Sequence, residues 1–280
     1  MMKSLKLLSI GLVVATSALV SVVAQAAEVA LQKVDSRIHG RYGYTWQTMT
    51  IDILVDDLAY DKAVTVHYLD DDGVWKDMVA SYVQEAGANK EVWRVSKQRS
   101  LNSPYQDNQE ALDLNFAVKY EVNGEAFWDN NGLQNYFVEA GSGEFITSEV
   151  LVDDYYAHEP YDYEYGDNTG HVRGRFSMGV LLKNMGYQKD VTVHYTLNDW
   201  QDTYVGTLTF NHGRYYGYSY VSYPNDNGVE YWSFATYGDE VQDTNATHVE
   251  FAVSYTVNGV TYWENNQGAN YRVAIQQRTP

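Results

Sequence analysis

Apolar residues along most of this chain recur at every second position rather than every third or fourth. Val64, Val66 and Tyr68 alternate with Thr65 and His67, and Phe116, Val118, Tyr120 and Val122 continue the same rhythm. A period of two puts alternate side chains on opposite faces of a strand, one buried and one wet. Asn123-Gly124 and Asn258-Gly259 each end such a run. Both residue types accept positive φ, so each pair predicts a tight hairpin. Beyond the first 26 residues no segment sustains a helical apolar period. The four prolines, Pro104, Pro160, Pro224 and Pro280, fall in turn-like or terminal sequence. The pattern predicts an all-β chain.

The strand pattern occurs twice. Ile53 to Tyr68 matches Val180 to Tyr195, and Phe116 to Gly124 matches Phe251 to Gly259. Each copy ends on an aromatic-tryptophan pair, an acid and two asparagines: Phe127-Trp128-Asp129-Asn130-Asn131 and Tyr262-Trp263-Glu264-Asn265-Asn266. Asn135-Tyr136 and Asn270-Tyr271 close the blocks. His67 and His194 stand 127 residues apart, so the repeat is a whole domain rather than a solenoid unit. Two tandem immunoglobulin-like β-sandwich domains follow, over 27–140 and 145–280, with Gly141-Ser142-Gly143 opening a short flexible seam at 141–144. Six of the seven tryptophans pair between copies, and Trp46 alone has no counterpart. Trp75 and Trp93 are 18 residues apart, whereas Trp200 and Trp232 are 32 apart. The second copy therefore carries an extra tyrosine-rich stretch around residues 213–224, a loop expected to adjust binding specificity.

Lys3 and Lys6, an apolar run from Leu7 to Val23 and then Ala24-Gln25-Ala26 read as a signal peptide over 1–26, implying a secreted protein, extracellular or periplasmic. The chain has no cysteine, which excludes disulfides, thiol nucleophiles and thiolate metal sites. Its formal charge of −18 disfavours nucleic acid and anionic membrane surfaces. A neutral ligand does not feel that field. The 26 tyrosines suit either pleated surface or a face that stacks flat rings.

These blocks resemble carbohydrate-binding module family 21, the starch-binding domains of glucoamylases and the glycogen-targeting subunits of protein phosphatase 1. The motif residues are Asn184, Tyr187, Lys189, Trp200, Trp263, Asn265, Asn266, Asn270 and Tyr271 in the second copy. The first copy departs at Asp57, which replaces the asparagine, and at Gly132, which is displaced. The resemblance implies non-catalytic binding of α-1,4-glucan. It implies one site at Trp75, Trp128, Asn130 and Asn135 and its copy at Trp200, Trp263, Asn265 and Asn270. A second site is implied around Tyr60 and Lys62, with Tyr82 as a candidate, and around Tyr187 and Lys189, where no further aromatic partner is evident. A family tyrosine is replaced by Ala117 and Ala252. Such chemistry needs no cofactor: sugar C–H faces stack on aromatic rings, and asparagine amides both donate to and accept from hydroxyls. An amylolytic enzyme acting on the same polymer is the partner implied.

Other readings belong to particular residues. Trp93 and Trp232 are expected in the core, as sandwiches commonly bury a tryptophan. Trp128 and Trp263 could face either way, and the doubled asparagines serve equally as turn formers. His67 and His194 are expected to pack or hydrogen-bond rather than bind metal. Asp70-Asp71-Asp72-Gly73 lacks the spaced ligands of a calcium loop and reads as a solvated turn. Asn245-Ala246-Thr247 is a glycosylation sequon of use only in a eukaryotic secretory route. A surface or structural protein binding another glycan or a protein is the alternative function. A glycoside hydrolase, needing two carboxylates at a set separation, is the least favoured.

Overall fold

A computed structural model describes residues 28–165, 168–172, 174–217, 219–236 and 246–276. The expected signal peptide and Asn245 lie outside them. The first module contributes β1 (Val29–Arg41), β2 (Tyr44–Asp56), β3 (Lys62–Leu69), β4 (Trp75–Val79), β5 (Ser81–Ala86), β6 (Lys90–Asn102), β7 (Leu114–Val122), β8 (Glu125–Asp129) and β9 (Tyr136–Val138). Next comes β10 (Gly143–Ile146). The second module follows with β11 (Val150–His158), β12 (Tyr161–Tyr165), β13 (Asn168–Val172), β14 (Arg175–Lys183), β15 (Lys189–Thr196), β16 (Tyr204–Thr207) and β17 (Thr209–Asn211). It ends with β18 (Gly213–Tyr216), β19 (Ser219–Ser222), β20 (Val229–Ala235), β21 (His248–Val257), β22 (Val260–Glu264) and β23 (Tyr271–Gln276).

The first module is a sandwich of one sheet in the order β10-β1-β2-β6-β5 and another in the order β4-β3-β7-β8, with β9 also on β7. Met49, Ile51 and Ile53 from one sheet meet Val64, Val66, Phe116, Val118 and Tyr120 from the other, and all are fully buried. The period-two alternation thus supplies both inner faces, as the sequence predicts. In the second module Phe176, Met178, Val180 and Leu182 meet Val191, Val193, Phe251, Val253 and Tyr255 in the same way. There β23 pairs with β21 antiparallel and with β11 parallel, joining the two layers along one edge.

The seam departs from expectation. Gly143–Ile146 is no free linker, because β10 pairs antiparallel with β1 and adds itself to the first module's sheet. Gly143, with φ of 84°, starts that strand in a conformation other residues resist. The extra stretch of the second copy is the β18–β19 hairpin, and it lies on the first module rather than beside a sugar platform. The Arg37 guanidinium stacks over Tyr216 at 3.2 Å, and Ser219 Oγ meets His39 Nδ1 at 2.6 Å. The specificity loop read from sequence is therefore a clamp between modules.

Glu144 sits at the centre of that clamp with its side chain 1% exposed. Its Oε1 accepts from Arg37 (2.8 Å), Tyr216 (2.7 Å) and Tyr223 (2.8 Å), and its Oε2 from Asn225 (3.2 Å). A second contact joins Lys33 to Asp153 at 2.8 Å, and Asp153 in turn pairs with Arg214. A third is backbone packing: Gly87 N–H donates to Asn266 Oδ1, and a β-carbon on Gly87 would lie 1.9 Å from the Asn266 carbonyl oxygen. Only glycine permits that approach.

Asp35 lies directly opposite Glu144 across the β1–β10 pair, and Arg37 touches both. One guanidinium cannot neutralise two buried carboxylates. Burial, with the Glu144 and Asp153 charges, pushes the Asp35 carboxyl up to about 7 against the pull of Arg37 and Lys33. Its Oδ1 is buried with no hydrogen-bond partner. The folded state thus holds this proton more tightly than the unfolded chain, so the group's contribution to stability is full below about pH 4 and is lost as pH rises to about 7. Thermal melts should show wild-type stability falling over that range relative to Asp35→Asn. A constant difference between the two proteins would contradict the assignment.

Candidate carbohydrate-binding sites

The β3–β7 pair in the first module and the β15–β21 pair in the second form the surface that the predicted residues flank. In the first module Trp128 on β8 is 48% exposed and in the second Trp263 on β22 is 55% exposed, so both face outward. Trp75 opens β4 and is exposed as well. His67 lies between the two first-module tryptophans: its ring is parallel to Trp75 at 4.9 Å and edge-on to Trp128 at 6.0 Å. Its Nδ1 is 2.6 Å from Asp77 Oδ1. In the second module His194 lies 5.1 Å from Trp263. Both histidines face a small residue across the strand pair, Ala117 and Ala252. The two alanines that replace a family tyrosine thus leave room for an imidazole. The packing and hydrogen bonding expected of these histidines are both present, and His67 in addition forms the floor between Trp75 and Trp128. The signal was available: the histidine recurs at the same register in both copies.

The second-module platform borders a cavity of about 390 Å³ lined by His194, Trp200, Ala252, Trp263, Asn265 and Asn270. Trp200 adopts a left-handed backbone (φ 65°) after Asp199 (φ 53°) and is tied down by two hydrogen bonds. Its backbone N–H donates to Thr196 Oγ1 (3.1 Å), and its indole N–H to Glu250 Oε1 (2.5 Å). Asn270 Nδ2 donates to the same oxygen at 2.8 Å. Glu250 therefore orients one ring and one amide together. Asp199, His248 and Glu250 also converge within 4.8 Å. Arg272 and Thr247 Oγ1 both meet His248 Nδ1 at 3.1 Å, and His248 Nε2 lies 3.3 Å from Asp199 Oδ1. Through Glu250 this cluster supports the tryptophan loop.

The asparagines form the turns expected of them. Asn130 Oδ1 accepts from Leu133 N–H and Asn265 Oδ1 from Gly268 N–H, closing equivalent turns. Asn131 and Asn266, both at positive φ, donate to the carbonyls of Asn135 and Asn270. The second of these loops places Asn270 at the cavity of Trp200 and Trp263.

The second candidate site is a cleft of about 630 Å³ in the first module, lined by Asp57, Tyr60, Lys62, Tyr82, Glu91 and Trp93. Tyr60 and its counterpart Tyr187 are fully exposed. Lys62 and Lys189 are not: their side chains are 2% and 4% exposed. Lys62 is held by Asp57 and Glu91, and Lys189 by Asn184 and Glu230. They brace the site rather than present a charge to a ligand. Glu91 and Glu230 also accept the indole N–H of Trp93 and Trp232, each at 2.8 Å. Trp93 and Trp232 are only half-buried, and Trp93 meets Tyr82 edge-on at 6.2 Å. The core assignment for these two holds in part: both pack against the core while one side stays open. The missing second-copy partner is Phe210, directly opposite Trp232 as Tyr82 is opposite Trp93, with ring centroids 5.8 Å apart.

The acidic turn is also more than solvated. The fully buried Arg99 donates to Asp70 and Asp71, while Lys76 pairs with Asp70 and Asp72. Burial alone would raise the Asp70 carboxyl, but hydrogen bonds from Lys76 and Arg99 hold it well below the usual carboxylate range. The cations for this cluster are already supplied by the protein.

Paired aromatic platforms on a duplicated β-sandwich define a carbohydrate-binding protein. The chain belongs to the carbohydrate/starch-binding module family 21, whose model matches twice, at residues 26–139 and 166–274. Glucoamylase 1 of Rhizopus oryzae is 32% identical over 113 residues, 40% of this chain and 16% of that protein. Protein phosphatase 1 regulatory subunit 3B of Danio rerio is 34% identical, over 34% of this chain and 29% of its own length. The chain thus spans less than a third of these curated relatives. A solved structure of the Rhizopus oryzae glucoamylase starch-binding domain, in complex with beta-cyclodextrin and maltoheptaose, aligns at 30% identity and a TM-score of 0.30, covering 41% of this chain and 96% of that one.

Proposed function

We propose that this protein is a secreted, non-catalytic binder of α-1,4-glucan of the starch or glycogen type, with each module offering a tryptophan–histidine–tryptophan platform. The observation that carries the reading is the duplicated platform itself: His67 between Trp75 and Trp128, and His194 with Trp200 and Trp263 at one cavity. Rings at this density stack on sugar C–H faces, and Asn270 beside the second pair suits hydroxyls, as its counterpart Asn135 would in the first. Membership of a starch-binding family supports the same ligand. Export rests on the basic, apolar and small-residue order of residues 1–26. An amylolytic enzyme working on the same polymer is the partner this function serves.

The modules are clamped, so one polymer meets two platforms at a fixed spacing. That geometry supports an avidity gain on the order of a hundredfold over one module. Full-length protein should deplete from solution onto granular starch or glycogen and release no reducing sugar. No retention, or retention only by a non-α-glucan polymer, would overturn the proposal. Release of reducing sugar would instead favour a hydrolase.

A further inference from the structure

Trp46 has no counterpart in the second copy and belongs to none of the buried apolar clusters. It lies on the outward face of β2, directly opposite His39 of β1, with the rings parallel at 5.3 Å. Outward positions alternate from there. Thr48 and Thr50 follow on β2, and Ser100, Gln98 and Ser96 stand opposite Trp46, Thr48 and Thr50 on β6. The result is a shelf about 13 Å long at the rise of a strand, with one indole and five uncharged hydroxyl or amide side chains. Ser96 and Gln98 are exposed.

The shelf has two defined borders. On the β1 side the clamp hairpin stands on Arg37 and His39, with Tyr215 and Tyr220 exposed on its outer face, their rings 4.9 Å apart. Beyond Trp46, Tyr44 and the exposed Tyr105 pair at 6.0 Å. The second module's outward face is filled further along the strand, at Gly179 and Leu181, the counterparts of Asp52 and Leu54. There Tyr223 and Tyr231 pack on Leu181, and the Tyr231 hydroxyl takes the space a side chain on Gly179 would need.

In a chain of charge −18, a strip without formal charge does not select an ionic partner. One aromatic face flanked by hydroxyls and an amide is the chemistry that recognises a neutral sugar. We propose that this shelf is a third glycan-binding surface, centred on Trp46 with Thr48 and Gln98, that contacts the same α-glucan as the two platforms. The ligand assignment rests on the function proposed above.

The test uses the full chain and granular starch. Trp46→Ala should weaken retention roughly five- to tenfold, the loss expected for one stacked ring. It should leave titration of the Trp200/Trp263 platform with maltotriose unchanged. Gln98→Ala, which removes no ring, should weaken granule retention in the same direction. In a variant lacking Trp75, Trp128, Trp200 and Trp263, adding Trp46→Ala should lower the residual retention further. Unchanged granule retention for Trp46→Ala, with wild type retained, would overturn the third surface while leaving the two platforms standing. A change of oligomeric state in place of lost retention would overturn it too, by assigning the shelf to a second copy of the chain. Failure of wild type to bind any α-glucan would overturn both readings.

Discussion

Replacing Trp200 and Trp263 together by alanine should cost this protein more glucan affinity than replacing Trp75 and Trp128. Each double substitution removes the two flat faces of one platform. Anchors of this kind typically contribute 2 kcal/mol or more, so the loss per platform is roughly thirtyfold or greater. The asymmetry follows from how the rings are held. Trp200 is fixed by Glu250 and Thr196, and the same glutamate fixes Asn270, so the second platform is preorganised. Trp75 rests against His67 without an equivalent carboxylate contact to its indole among the described residues. Depletion isotherms on granular starch check the order. Equal losses, or a larger loss from the first-module pair, would show that ring fixation does not set the affinity.

The second large effect is expected at the junction. Glu144→Ala strips the partner from a buried guanidinium, two buried tyrosine hydroxyls and an amide at once. Removing one side of a buried charge pair costs about 3–5 kcal/mol. Urea unfolding should show this loss and should separate one transition into two as the modules uncouple. Granule avidity should fall with it, because the platforms lose their fixed spacing. Glu144→Gln keeps hydrogen-bonding capacity but removes the charge, so it should be milder. It should also relieve Asp35, whose carboxyl then faces Arg37 without a competing acid. A single unshifted transition in Glu144→Ala would mean that the clamp adds nothing to cohesion.

Much of the site was legible in the chain because it is local. Trp128 with Asn130, or Trp263 with Asn265, lies within a few residues of a hairpin that Asn-Gly dictates, so motif and geometry coincide. Phe210 was not legible. It faces Trp232 only through the β17–β20 pairing, and the hairpin insertion shifts its spacing from that of Tyr82 and Trp93. Lys62 and Lys189 belong to the motif, yet a motif does not say whether a charge points out. Glu91 and Glu230, far along the chain, turn both lysines inward.

The sequence by itself determined the class of fold, the duplication and the paired tryptophans. Period-two burial and hairpin dipeptides are properties of neighbouring residues, and a repeat needs only comparison of the chain with itself. The tertiary structure alone decided what the unmatched parts do. Gly141-Ser142-Gly143 has a linker's composition, yet β1 offers a strand edge that the residues from Gly143 onward complete. The tyrosine-rich insertion has a binding loop's composition, yet its Tyr216 meets Arg37 and Glu144 of a surface more than 70 residues away in sequence. Pairing a buried charge across such distances depends on where whole sheets come to rest, which no local pattern encodes.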